Sequence, residues 1–204
     1  MKDIFARNDQ HYTKLAFLNW RTDGEDIGNL LVLADGFLSS SILLIKKCLK
    51  KNRDKKADKI IFPVLYNANH GIELYLKALT WKLNKLLGNG KKIEGSHDIK
   101  QIFSVVKARI IQFGTDNRAK NFKELTKELD FYITELYNKL EEGKGKKNLD
   151  FSRYPISSDY MKHFYAREWK NIEIDLVNLL GIYQRIYHNM EDLTAYYYYE
   201  EFNL

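Results

Sequence analysis

Phe62-Pro-Val-Leu-Tyr-Asn-Ala-Asn-His-Gly-Ile-Glu-Leu-Tyr-Leu-Lys-Ala-Leu79, followed after a Gly/Lys-rich loop by Ser96-His-Asp-Ile99, decides the reading of this chain. Wound as a helix at about 100° per residue, the first stretch puts Leu65, Ala68, Ile72, Leu76, Leu79 and Leu83 on one face. Leu74, Ala78 and Trp81 fall roughly opposite. A helix apolar on two sides belongs at the centre of a helical domain. Between those sides runs a polar seam of Tyr66, His70, Glu73 and Lys77 at helical spacing.

The surroundings also read as helical. The 204 residues are 45% hydrophobic and 29% charged, the balance of a soluble globular chain with enough length for a sizeable core. There are only two prolines, Pro63 and Pro155, which favours long uninterrupted helices. Residues 1–25 read as an irregular N-terminal extension, with Tyr12, Phe17 and Trp20 available to pack. Residues 26–204 read as one all-α domain, an antiparallel bundle of four long helices plus one shorter helix. The long ones are expected from Gly24–Ile27 to about Lys51, from Asp58 to Leu87, over Ala119–Glu142 and over Glu168–Tyr199. The shorter one runs from about Asp98 to Gln112, with Phe151–Ile156 extended ahead of the last helix because the residue before a proline is pushed out of the helical region.

Several functions are disfavoured by composition. One cysteine, Cys48, cannot form an intramolecular disulfide or a cysteine zinc site, and fits a reducing cytoplasm. The first residues lack the apolar core of a signal peptide, and the greasy run Leu30–Ile45 contains Asp35, Gly36 and three serines. The expectation is a cytoplasmic protein with no membrane contact. A net charge of +6 and a pI near 9.1 permit contact with nucleic acid without requiring it. The lysines gather at Lys46–Lys59, Lys91-Lys92 and Lys144–Lys147, all at expected helix ends or loops. Glycine-rich phosphate loops, metal-ligand spacings and nucleophile elbows do not occur, so neither a metal nor a cofactor is expected.

The candidate site residues lie on the seam and on two loops. Glu73 and Lys77, at i and i+4 in the favourable order, form either a buried pair that fixes packing or the edge of a cleft, with His70 one turn before. Asp98 suits an N-cap, with Gln101 three residues on. Arg153 beside Tyr154 suits anion binding, or equally a clamp on Glu73 or Asp98.

Glu73-Leu-Tyr-Leu-Lys-Ala-Leu79, a loop, then His97-Asp-Ile99 resembles the signature of HEPN-domain proteins, a superfamily of small helical bundles. Arg153-Tyr-Pro155 is similar to a segment preceding the final helix in some HEPN-like bacterial proteins. The resemblance implies that His97 packs near Glu73. It also implies a place in bacterial defence, toxin–antitoxin systems or nucleotide-linked regulation, with RNA or a nucleotide as ligand and a nucleotidyltransferase as partner. A homodimer is expected from the aromatic-rich final helix and its Tyr196–Tyr199 tail, which exceed what one small core needs. Catalytic HEPN ribonucleases carry an Arg, roughly four to six residues and a His at the start of the last helix. This chain has Arg185-Ile-Tyr-His188, two residues between, and Arg7–His11, three between and in the wrong place. The resemblance therefore implies a non-catalytic binding or dimerisation module. The alternatives are a divergent metal-independent ribonuclease using Arg185, His188 or His97, and a structural partner of a nucleotidyltransferase.

Overall fold

The computed structural model describes residues 4–5, 11–18, 26–93, 95–114, 116–141, 149–166 and 171–200. Among these the chain forms six α-helices: α1 (Asp26–Lys50), α2 (Lys56–Leu86), α3 (Ile99–Phe113), α4 (Asp116–Leu125), α5 (Lys127–Glu141) and α6 (Leu176–Glu200). The only strand-like feature among them is an isolated bridge between Ile156 and Lys162.

The long helix α2 is central, as its two apolar sides require. Ala68, Ile72, Leu76, Leu79 and Leu83 are buried on one side, Leu74 and Ala78 on the other. Its partner α1 runs in the opposite direction, with Ser41 Oγ donating to the Val64 carbonyl at 2.9 Å and Ala34 and Leu38 against Gly71. The approach at Gly71 is close because there is no side chain to hold the helices apart. A Cβ there would stand 2.9 Å from the Leu38 nitrogen and 3.0 Å from the Ala34 oxygen. By length and composition α1 could cross a membrane, which the shorter run Leu30–Ile45 did not suggest. In this fold its Ala34–Leu38–Ile45 stripe is buried against α2.

The remaining helices close around α2. The Tyr183 hydroxyl on α6 donates to the Tyr132 oxygen on α5 (3.0 Å), and the Tyr132 hydroxyl donates to Asn69 Oδ1 on α2 (2.7 Å), so one buried relay ties three helices together. Tyr187 on α6 hydrogen-bonds the Asp35 carboxylate on α1. Buried Cys48 serves as a small core residue.

The boundaries depart from the sequence expectation at four places. α2 begins at Lys56, two residues before the Asp58 cap, after Lys55 in the left-handed region (φ 52°). Asn52 Oδ1 takes the Ala57 amide from outside that turn. The expected helix 119–142 is two helices, and the first starts at Asp116. They join at buried Thr126, whose backbone N–H and Oγ1 both bond the Phe122 carbonyl, a back-bonding pattern that bends helices. The expected start of the last helix at Glu168 lies outside the described residues, as does Trp169. Residues 171–175 are not helical, Ile172 and Ile174 are exposed, and Asp175 Oδ1 caps α6 through the amides of Val177 and Asn178. Residues Leu149–Ser152 form a 3₁₀ turn instead of the start of an extended run, because Ser152 Oγ and the amides of Arg153 and Tyr154 fold back on Leu149 and Asp150. In the N-terminal extension Phe17 is exposed, and Trp20 and the Tyr12 side chain lie outside the described residues.

The two glycines of the α1–α2 pair give a matched test. Alanine in place of glycine in a helix contributes roughly 1 kcal/mol through propensity. At Gly36, where a Cβ meets nothing within 4 Å, Gly36→Ala should raise the melting temperature. At Gly71 the overlap with backbone should outweigh that gain by about 1–3 kcal/mol, and Gly71→Ala should lower it by several degrees. Equal effects of the two changes in a thermal melt would contradict this α1–α2 packing.

Candidate functional site

The polar seam of α2 opens into a cleft of about 550 Å³. Tyr66, Asn69, His70 and Glu73 form its floor and one wall. Ser96, His97 and Asp98 arrive from the loop before α3, Tyr137 from α5, and Asp150, Ser152 and Arg153 from the 3₁₀ turn and the residue after it.

Glu73 is its electrostatic centre. Lys77 Nζ donates to Oε1 at 2.7 Å, His97 Nδ1 meets the same oxygen at 2.9 Å, and His70 Nδ1 stands 3.8 Å from Oε2, an electrostatic contact longer than a hydrogen bond. Burial alone would raise the carboxyl's pKa. The favourable interactions with His70, Lys77 and His97 outweigh it and hold the group at about 2, against an ordinary 4.5. Both Glu73 and Lys77 are buried, so each compensates a charge that would otherwise be costly.

His97 combines fixed orientation with access. Its side chain is 83% exposed although Nδ1 is engaged. A carboxylate only accepts, so Nδ1 must carry a proton and Nε2 is left free of the Glu73 contact. Asp98 performs the capping role expected of it: Oδ1 accepts from the Gln101 amide (3.0 Å) and from the Tyr137 hydroxyl (2.6 Å). Burial, reinforced by Asp98, pushes the Tyr137 phenol above its ordinary pKa and keeps it protonated as a donor. Ser96 Oγ donates to Gln101 Oε1 and Ser152 Oγ to the Leu149 carbonyl, so the hydroxyl protons of both cleft serines are committed.

Arg153 is a clamp, but its partner is neither Glu73 nor Asp98. It pairs with Asp150, three residues earlier, because the 3₁₀ turn brings the two side chains together. Its guanidinium carbon stands 5.9 Å from the centroid of Tyr66 and 5.3 Å from that of Tyr154. Tyr154 is exposed and does not line the cleft. The ring of His70 stacks on Tyr66, with centroids 5.9 Å apart and 11° between planes.

Asn69 was invisible to the sequence reading as a site residue. Its carbonyl accepts from Tyr132, and burial raises the pKa of Tyr132 and of Tyr183, so the phenols of that relay stay protonated donors. The amide nitrogen, in a residue only 3% exposed, has no partner among the described residues. An amide on an apolar helix, one position before the seam, is the signal that could have marked it.

The other candidate pair stands elsewhere. Arg185 and His188 do not line the cleft. Arg185 Nε donates to Glu128 at 3.2 Å and His188 faces Glu191 at 3.7 Å, both on the exposed surface. Arg7 lies outside the described residues. No group of three or more metal-ligating side chains occurs among the described residues. Compared with known proteins, the chain matches no family model, no curated protein and no solved structure.

A carboxyl held below its unfolded value contributes stability that is present above the unfolded pKa and lost as pH falls towards the folded one. For Glu73 the window runs from about pH 5 down to about pH 2, and the contribution is at most roughly 3 kcal/mol. Glu73→Gln should flatten this part of the acid-unfolding curve. Lys77→Met alone strips the buried Glu73 charge of its lysine, leaving only the histidine contacts, and should cost about 3 kcal/mol, much of it recovered in the Glu73→Gln/Lys77→Met double variant. Additive losses in urea denaturation would show that the two side chains act independently.

Proposed function

We propose that this chain is a HEPN-like antiparallel bundle acting as a non-catalytic binding and dimerisation module, in bacterial defence, toxin–antitoxin or nucleotide-linked regulation. The observation that carries the reading is the cleft, where the α2 seam and two separate loop segments converge on Glu73. The cleft's chemistry favours binding over turnover. Its serines are committed to local hydrogen bonds and its arginine is paired with Asp150. The protein would work in the cytoplasm, with RNA or a nucleotide as ligand and a second copy or a nucleotidyltransferase as partner.

The second reading is a metal-independent ribonuclease, and the observation that favours it is the Glu73–His97 contact. A buried carboxylate on Nδ1 is the arrangement that leaves Nε2 as a general base. In that reading His97 is the group to test before Arg185 or His188.

Purified protein should bind a nucleotide or short RNA, seen as a rise in melting temperature that His97→Ala removes, while leaving RNA intact in chelator. Robust chelator-resistant cleavage, abolished by His97→Ala or His188→Ala in a folded protein, would replace the binding reading with the enzymatic one.

Dimerisation rests on exposed apolar side chains: Val32, Leu33 and Leu43 on α1, and Tyr196 on α6. Tyr197 is spent on the monomer's own core, and the Tyr199 side chain lies outside the described residues. Light scattering at micromolar concentration should give twice the 24.2 kDa chain mass. A strict monomer would remove this part of the proposal.

A further inference from the structure

Resting on the reading of this cleft as a binding site, we infer that its ligand carries a tetrahedral oxyanion, a phosphate or sulfate group, received by Asn69, Arg153 and His97 with uptake of a proton.

The argument starts from hydrogen-bonding capacity. The named carboxylate oxygens are already occupied: Glu73 Oε1 by Lys77 and His97, Asp98 Oδ1 by Gln101 and Tyr137, and Asp150 Oδ1 by Arg153. The donors are in surplus. Both N–H groups of Asn69 lack a partner among the described residues. The Tyr183 and Tyr132 hydroxyls donate along the relay and end on the Asn69 carbonyl, which leaves the amide N–H groups on the other side of the side chain. Arg153 presents five donors and spends only part of them on Asp150. The spare N–H groups of Asn69 and Arg153 suit a ligand that only accepts.

Charge then dictates the proton. The groups around His97 are Glu73 and His70 from α2, with Lys77 behind them on the same Glu73 oxygen, Asp98 from its own loop, Tyr137 from α5, and Asp150 and Arg153 from the 3₁₀ turn and the residue after it. With both imidazoles neutral, three carboxylates stand against two cations, a formal charge of −1 that repels an anion. Protonating one imidazole makes this set of groups neutral, and protonating both makes it +1. Of the two, His97 has the exposed side chain, and Glu73 already holds its Nδ1–H, so the arriving proton goes to Nε2 and points a further donor at the ligand.

Sulfate is the right first probe, because its charge is constant from pH 5.5 to 8. Calorimetric titration of the full chain with sodium sulfate, at constant ionic strength, should give millimolar or tighter binding at pH 5.5. Affinity should fall by roughly tenfold or more by pH 8, with proton uptake seen as heats that differ between buffers of different ionisation enthalpy. Asn69→Asp keeps the acceptor for Tyr132 but removes both donors, and should weaken binding about tenfold or more, as should Arg153→Ala. His97→Ala should weaken binding and abolish most of the pH dependence. Far-UV circular dichroism and thermal melts establish that each variant is folded; for a variant that is not, Arg153→Gln gives the same test at an exposed position.

Inorganic phosphate and AMP should compete with sulfate, whereas adenosine should not. Competition by phosphate alone would identify a free anion as the ligand source, and by AMP alone an organic phosphate; either supports the inference. Three outcomes overturn it: no sulfate, phosphate or AMP binding at pH 5.5, binding that is independent of pH, or binding unchanged in Asn69→Asp and Arg153→Ala. Adenosine binding that His97→Ala abolishes, with no effect of sulfate, would refute the oxyanion while leaving the cleft a binding site.

Discussion

The constraint on which the structure depends is the burial of the Glu73 charge within a helix that is apolar on two sides. A carboxylate in that position must be met by positive or N–H groups, and Lys77, His97 and His70 meet it. Only Lys77 and His70 can do so by local helical spacing. His97 comes from 24 residues further along the chain, so satisfying Glu73 also anchors the loop that leads into α3. The Asp98 cap then places the first turn of α3, and the Tyr137 hydroxyl on the same carboxylate oxygen ties α5 to that corner. One charge requirement thereby organises three segments.

A second constraint works on α2 through Gly71 and Asn69. Gly71 allows α1 to approach until backbone meets backbone, while the Tyr183–Tyr132–Asn69 relay draws α5 and α6 onto the same helix. Gly71 lies between Asn69 and Glu73 in sequence, so this close α1–α2 contact is made within the stretch of α2 that lines the cleft. Four of the cleft's side chains, Tyr66, Asn69, His70 and Glu73, therefore hang from the helix against which α1, α3, α6 and the 3₁₀ turn pack.

The resulting cleft is chemically asymmetric. Its carboxylates are engaged by protein donors, and its cations are paired, yet it retains an amide with no protein partner and an imidazole that is oriented but open. Arg185 and His188 show the contrast. They share an exposed stretch of α6, each facing a surface glutamate, with no enclosed space to concentrate their chemistry. Residue type alone would rank the two histidines alike. Burial of the partner carboxylate separates them.

Much of this was legible in the chain. Periodicity located α1, α2 and α3 to within about two residues, because an amphipathic or doubly apolar stripe is a local property of spacing. The seam identified Glu73, Lys77 and His70, and the Ser-His-Asp run identified the cap, because i, i+4 geometry and N-capping are also local. What the chain did not reveal depends on contacts between distant segments or on competing local hydrogen bonds. The bend at Thr126 needs a side chain to choose a carbonyl one turn back, and the late start of α6 needs Asp175 to take two amides. Arg153 turned to Asp150 because a 3₁₀ turn, not an extended strand, precedes it. The orphan amide of Asn69 exists only because Tyr132, 63 residues away, takes its carbonyl. Local spacing determined which residues lie on which helical face; tertiary packing alone decided which polar atoms found partners and which were left without one, since a hydrogen bond across distant segments leaves no period in the sequence.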